Sequence, residues 1–259
     1  MAIIKNTNAN AENQLPMYTG YLDEETHIHV IDGNSEMGKG IYHYSTLAGC
    51  NIFIKADGTI MTDIHGTCGE FCKHCEKICY ARKYTMRNHI GCMPAYIDNT
   101  LLLRGDRDKF FRELEDFFYY NVVSVFRAHV SGEFLDYDHL KRFLELAARH
   151  PETQFYFYTE AEIFVDKAED EGLLPLKNVV PWISVPICEM DRPNPRNHRR
   201  AYIDDGKHPD PRLKNVFHCP KNTKDGKKTG VTCSMCKTCP FGKTGGKGKE
   251  VMEVALWKH

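Results

Sequence analysis

The residues at positions 68–79 read CGEFCKHCEKIC, four cysteines spaced C-x3-C-x2-C-x3-C. Thiolates this dense repel one another and oxidise easily, so a chain carries them for a metal or for disulfides. Cys68, Cys72 and Cys75 are spaced to wrap one face of an iron–sulfur cluster. Zinc sites pair C-x2-C knuckles a dozen or more residues apart, which this run fits poorly. Three thiolates leave one iron of a 4Fe–4S cube without a protein ligand, an open place for a substrate or cofactor. Cys79 is the alternative fourth ligand. Bound to that iron it makes the cluster structural or electron-transferring; one helical turn beyond Cys75 it points away.

Composition bounds what such a metal serves. With 259 residues and 42% hydrophobic content the chain can build a core without disulfides. Its 34 Lys and Arg against 35 Asp and Glu exclude a global bias toward nucleic acid or membrane. The opening MAIIKNTNANAENQLP lacks the apolar core of an export signal, and no run approaches a membrane span. A cytoplasmic, reducing setting is expected, where clustered cysteines mean metal. A second group comprises Cys219, Cys233, Cys236 and Cys239, while Cys50, Cys92 and Cys188 read as small packed hydrophobes.

Upstream of the first cysteines, THIHVID at 26–32 alternates as a strand does. Gly38 and Gly40 flank Lys39, so the backbone bends or closely approaches something there; the lone GKG lacks P-loop spacing. Residues 51–66 read as a hairpin about Asp57-Gly58 whose second strand runs into Cys68. Residues 76–89 lack breakers and read as helical. Asp106 caps a helix to about Tyr119 with Phe110, Phe111, Leu114, Phe117 and Phe118 on one face. Residues 122–130 read as a buried parallel strand. Asp136 caps a helix in which Leu140, Phe143, Leu144 and Ala147 recur at i, i+3, i+4 and i+7. A strand at 154–159, a short helix stopped by Gly172, and a strand at 179–187 follow.

This alternation predicts an α/β protein with a parallel sheet and ligands at the carboxyl ends of its strands. Those ends carry the Cys68 group, Ser131-Gly132-Glu133, Thr159-Glu160 and Cys188-Glu189. Arg127 and His129 alternate on the buried strand and are the candidate catalytic residues; a satisfied core histidine is the alternative.

Residues 189–214 read as a long loop or lid with a short helix near 199–203. Its Arg192, Arg196, Arg199 and Arg200 offer either an anion site or a solvated loop. Residues 215–219 read as a last strand. From Pro220 on, a Lys-, Gly- and Thr-rich tail cannot pack a core unaided, and metal at the second cysteine group gives it a reason to fold. The run C-x2-C-x2-C with trailing Pro240 suits a ferredoxin-type 4Fe–4S site with Cys219 as fourth ligand; four-cysteine zinc is the alternative. The tail lysines lack interleaved aromatics for base stacking, so no nucleic-acid partner is expected.

The chain resembles the radical S-adenosylmethionine enzymes over roughly residues 45–190. Their C-x3-C-x-Φ-C signature matches Cys68, Cys72 and Cys75, with His74 at the usually aromatic position. Their Gly-Gly-Glu strand end matches Ser131, Gly132 and Glu133. The resemblance implies a partial (β/α) barrel with a small C-terminal cysteine-rich extension. The divisions are an N-terminal segment at 1–44, the barrel at 45–218 and an auxiliary-cluster segment at 219–259. It implies a 4Fe–4S cluster and S-adenosylmethionine, with His74, Ser131, Gly132, Glu133 and Thr159 around the cofactor and Glu133 on its amino group. A reductant such as flavodoxin or ferredoxin and a substrate of unknown class complete it. The chain is also similar to the phage gene product 88 family. The shared features are the GNSEMGKGIYHYS opening, the CxxxCxxCxxxCYA run, the R-x-H-x-S-G-E-F strand end and a C-terminal C-x2-C. That likeness implies fold and cluster, and no reaction. A non-catalytic iron–sulfur protein and a zinc-stapled accessory protein are the competing expectations.

Overall fold

A computed structural model describes residues 4–6, 17–19, 21–49, 52, 62–73, 79, 81–83, 89–204, 211–221 and 228–257. Most of the expected hairpin at 51–66 and helix at 76–89 lies outside them. The chain forms two compact units, one from residues 1–30, 44–121 and 129–139, the other from 31–43, 122–128 and 140–259.

The protein is mixed α/β. Strands β1 (Ile4–Asn6) and β2 (Met17–Thr19) form a small antiparallel pair. The main sheet holds β3 (Ile31–Asp32), β4 (Ile41–Tyr44), β5 (Val125–Ala128), β6 (Gln154–Thr159), β7 (Val179–Pro186), β8 (Arg200–Asp204), β9 (Phe217–His218) and β10 (Glu253–Trp257). Its order is β3-β4-β5-β6-β7-β8-β10-β9, and among the described residues it does not close on itself. β3 and β4 are antiparallel, and β5 through β8 run parallel. β10 lies parallel between β8 and β9. Pro181 is tolerated in β7 because β8 pairs only from Ile183 on, so no donor is needed on that side.

The helices are α1 (His89–Gly105), α2 (Arg107–Tyr120), α3 (Tyr137–Arg149), α4 (Glu162–Asp170), α5 (Cys233–Cys236) and α6 (Thr238–Phe241). Asp106 caps α2 by accepting from the Lys109 N–H, and Phe110, Phe111, Leu114 and Phe118 are buried. Asp136 caps α3 through the His139 N–H, and Leu140, Phe143, Leu144 and Ala147 are all buried, as the periodicity requires. Gly172, at φ 73°, supplies the left-handed stop after α4.

Several expectations need correction. Only Ile31 and Asp32 of the 26–32 stretch are strand. Ile28 and His29 instead donate their N–H groups to Glu113 and Asn99 side chains, which replace ladder partners. β5 is shorter than expected: Val122 is exposed, and His129 at φ 41° breaks the strand after Ala128. The alternation that put Arg127 and His129 on one face therefore stops between them. The short helix near 199–203 is instead strand β8. Arg200 could join a buried sheet because its guanidinium is met by the carbonyls of Met190, Arg192 and Pro193. The tail does contribute to the core: Val251, Val254 and Ala255 are buried around β10.

Candidate functional site

In the first unit, the segment after β4 organises the cysteine loop. The Thr46 N–H donates to the Ser131 carbonyl, Thr67 N–H to the Leu47 carbonyl, and Cys68 N–H to the Gly49 carbonyl. Residues 46–49 thus lie between the 131–133 corner and the start of the cysteine loop. The two motifs are tied directly, because the Glu133 N–H donates to Thr67 Oγ1 at 3.0 Å. Gly132, at φ 93°, must be glycine on two counts: the dihedral is left-handed, and a Cβ there would sit 1.8 Å from Thr46 Oγ1.

Cys68 is buried and its Sγ accepts from the Gly49 N–H at 3.1 Å. A short 3-10 turn, Gly69–Lys73, follows it. His74 and Cys75 lie outside the described residues, as does the Cys72 side chain. Cys79 does not turn to solvent. It packs against the small cluster of Ala48, Cys68 and Ala81, and its Sγ accepts from the Arg82 N–H.

Ser131 and Glu133 are buried. The Ser131 hydroxyl donates to the Thr46 carbonyl, and Glu133 Oε1 accepts from the Phe134 N–H at 2.8 Å. Burial, then the nearby Glu133 carboxylate, pushes the Tyr44 phenol well above its usual value. His129 packs its ring against Phe134, Tyr44 and His139 at centroid distances of 4.3, 5.5 and 5.7 Å, the environment of a core histidine.

In the second unit, Cys219, Cys233, Cys236 and Cys239 line one cavity with Phe217, Lys221 and Thr238. Each of the four thiols interacts electrostatically with the other three. Two short turns build the run: Lys237, at φ 57°, ends α5 and begins α6, which swings Cys236 and Cys239 back toward Cys233. The glycine loop before β4 holds this run. The Cys233 and Ser234 N–H groups donate to the Glu36 and Met37 carbonyls. A Cβ on Gly38 would stand 2.2 Å from Ser234 Oγ, the close approach that the Gly38-Lys39-Gly40 sequence signalled.

Burial and nearby donors act on these thiols in opposite directions. Burial raises Cys219, offset by the Lys221 N–H on its sulfur. Burial also raises Cys233, offset by the Arg127 guanidinium. Cys239 is pushed up to about 12, chiefly by burial, against a hydrogen bond from the Tyr158 hydroxyl. Arg127 lies 4.9 Å from the Tyr158 ring centre and 5.8 Å from that of Tyr156. The Trp182 indole donates to the Cys239 carbonyl at 3.0 Å. The Cys239 thiol, pushed up this far, is protonated at neutral pH; a metal would displace the proton.

A tetrahedral zinc holds its sulfurs about 3.8 Å apart at bonds of about 2.3 Å. Among the described residues, the group of three or more potential ligands within 4.8 Å of one another is Asp166, Glu169 and His198, not the cysteines.

The other candidates separate. The Thr159 hydroxyl accepts from the Ala161 N–H and shapes the turn into α4. Cys188 is exposed and Cys92 half-buried; Cys50 lies outside the described residues. The loop arginines are paired: the partly exposed Arg192 and Arg196 with α4 carboxylates, Arg199 with Glu250, and the buried Arg200 with carbonyls. Tyr158 and Trp182 had no motif to announce them; residues 36–38 were marked by the glycines and by the GNSEMGKGIYHYS stretch they belong to.

No described helix is long and apolar enough to cross a membrane. Comparison with curated proteins and with solved structures gave no match. A sequence model described as Gene product 88 matches residues 31–242. That span takes in the glycine loop, the first cysteines, the Ser131-Gly132-Glu133 corner and all four C-terminal cysteines, and the chain belongs to the phage gene product 88 family.

Proposed function

We propose that this chain is an iron–sulfur protein of the radical S-adenosylmethionine type. Cys68, Cys72 and Cys75 hold a 4Fe–4S cluster, and Cys219, Cys233, Cys236 and Cys239 hold an auxiliary one. The observation that carries the cofactor seat is the hydrogen bond from the Glu133 N–H to Thr67 Oγ1, which sets the Ser131-Gly132-Glu133 corner beside the residue preceding Cys68. Cys68, Cys72 and Cys75 would hold a cluster that, when bound and reduced, would supply the electron for reductive cleavage of S-adenosylmethionine. The chain's own part is orientation: Glu133 offers a buried carboxylate for the cofactor's amino group, a charge-assisted contact. The Gly49 N–H on Cys68 and the Tyr158 hydroxyl on Cys239 steady the two thiolate sites.

A second reading has its own observation. Cys79 packs on the Ala48–Cys68–Ala81 cluster, where it could supply a fourth thiolate and close the cluster. The protein would then be a non-catalytic iron–sulfur or electron-transfer protein.

Anaerobic purification followed by iron and sulfide analysis, EPR with and without S-adenosylmethionine, and assay of 5′-deoxyadenosine after reduction decides between them. The expected result is about eight irons per chain, a cluster signal altered by S-adenosylmethionine, and 5′-deoxyadenosine formed. Iron with no response to S-adenosylmethionine supports closure by Cys79. Zinc with no visible absorbance overturns both readings.

A further inference from the structure

We infer that Asp166, Glu169 and His198 form a binding site for a first-row divalent metal ion, separate from both cysteine groups. Asp166 and Glu169 lie on one face of α4, and Glu162 precedes them by one turn on the same face. His198 reaches them from the loop before β8, where Asn194 clamps it: Asn194 Oδ1 accepts from the His198 N–H and its amide donates to the His198 carbonyl.

The acidic face alone would carry nothing; the imidazole turns it into a site. The His198 side chain is only 6% exposed. Its Nε2 is shielded from solvent and has no hydrogen-bond partner. That nitrogen points between two carboxylates, 3.2 Å from Glu169 Oε1 and 3.6 Å from Asp166 Oδ1. With bonds of 2.0–2.2 Å, the ligands of a tetrahedral ion stand about 3.3–3.6 Å apart. Both contacts of the imidazole are close to the length of a coordination edge, and the three ligand atoms lie within 4.8 Å of one another.

The outer groups agree. His198 Nδ1 lies 3.2 Å from Glu162 Oε1; a proton held there would leave Nε2 free to ligate, the carboxylate–histidine pairing of metal sites. Arg192 fixes Glu162 in turn, at 2.7 Å. Charge agrees too. Glu162, Asp166, Glu169, Asp170 and Glu189 face the guanidiniums of Arg192 and Arg196, so carboxylates outnumber guanidiniums around the site. A dication would offset that excess. One imidazole with carboxylates suits manganese, iron or zinc over magnesium or calcium, which favour all-oxygen shells.

Manganese(II) is the probe, because hard Mn²⁺ competes poorly for the thiol pocket. The full chain is titrated with Mn²⁺ and the free ion is followed by its six-line EPR signal, with melting temperature read in parallel. One Mn²⁺ per chain should leave solution, excess Mg²⁺ should not displace it, and Mn²⁺ should raise the melting temperature. His198→Ala and the near-isosteric Glu169→Gln should each weaken uptake at least about tenfold, and Glu162→Gln about 10–100-fold. Wild-type protein that takes up no Mn²⁺, or Glu169→Gln protein that titrates like wild type, would show that the four groups only staple the loop to α4 and would overturn the site.

Discussion

The Glu133 N–H donates to Thr67 Oγ1 at 3.0 Å, so the corner after β5 rests on the residue that precedes Cys68. Both residues are buried, and Thr67 Oγ1 also meets Thr46 Oγ1 at 2.8 Å. Thr67→Val keeps the shape and removes every one of these bonds. A buried N–H left without an acceptor costs about 1–3 kcal/mol. Thermal unfolding should show that loss, and anaerobically reconstituted protein should retain less iron at the first cysteine group. An unchanged melting temperature with full iron would show that the corner and the cysteine loop are held independently.

At the second group, Tyr158 would tune the proposed auxiliary cluster. Its hydroxyl donates to Cys239, and burial followed by the Cys239 charge pushes the phenol well above its usual value, so it remains a donor at any working pH. A donor on a ligating sulfur favours the reduced, more negative cluster. Tyr158→Phe should therefore lower the reduction potential of the auxiliary centre while metal content stays the same. Protein-film voltammetry or an EPR-monitored titration reads the shift. A rise in potential refutes the assigned direction, and absence of any redox wave identifies zinc.

Much of this was legible in the chain, and the misses have physical causes. The repeat of Leu140, Phe143, Leu144 and Ala147 predicted a buried face, and all four are buried. β8 was misread because Arg200 looks like a surface residue; only the carbonyls of a loop several residues upstream make its burial tolerable. β10 was hidden by averaging. Its short EVALW run follows a Lys- and Gly-rich stretch, and what makes it a strand is insertion between β8 and β9, a non-local fact. α1 contains Gly91 and Pro94, which local propensity counts as breakers. The cysteine spacing predicted two groups, and the second does converge on one cavity. Spacing could not supply the Tyr158 and Trp182 contacts or the carbonyls of residues 36 and 37, because these come from distant parts of the sequence.

Gly38 makes that long-range support testable. A Cβ there would lie 2.2 Å from Ser234 Oγ and 2.7 Å from Thr232 Oγ1, and φ is 76°. Gly38→Ala must therefore push the loop off the 232–236 run and strain its own backbone. Release of the Glu36 and Met37 carbonyls from the Cys233 and Ser234 N–H groups should follow. The expected outcome is loss of C-terminal metal, with the first cysteine group still loaded. Ser234→Ala, which adds no atom, should keep its metal. Equal metal content in Gly38→Ala and wild type would mean that the loop does not shape the site.

Asp136 gives the pH dependence. Burial opposes its charge, but the bidentate Arg107 contact, at 2.9 and 2.8 Å, and the His139 N–H hold its carboxyl below the usual value. A carboxyl lowered in the folded state stabilises that state fully above its unfolded pKa of about 3.9. The contribution is lost as pH falls through the lower, folded value. The Asp136 side chain is 48% exposed, so solvent screens the ion pair and its share is small, on the order of 1 kcal/mol or less. Asp136→Asn keeps a cap for α3 but loses the ion pair; Asp136→Ala loses both, at about 0.5–2 kcal/mol for the cap. Melting temperatures at pH 7 should therefore rank wild type above Asp136→Asn, and Asp136→Asn above Asp136→Ala. On acidification the gap between wild type and Asp136→Asn should close below pH 4, where the wild-type carboxyl takes up its proton. A gap that widens toward acid would reverse the assigned sign and remove Arg107 as the group that holds this carboxylate.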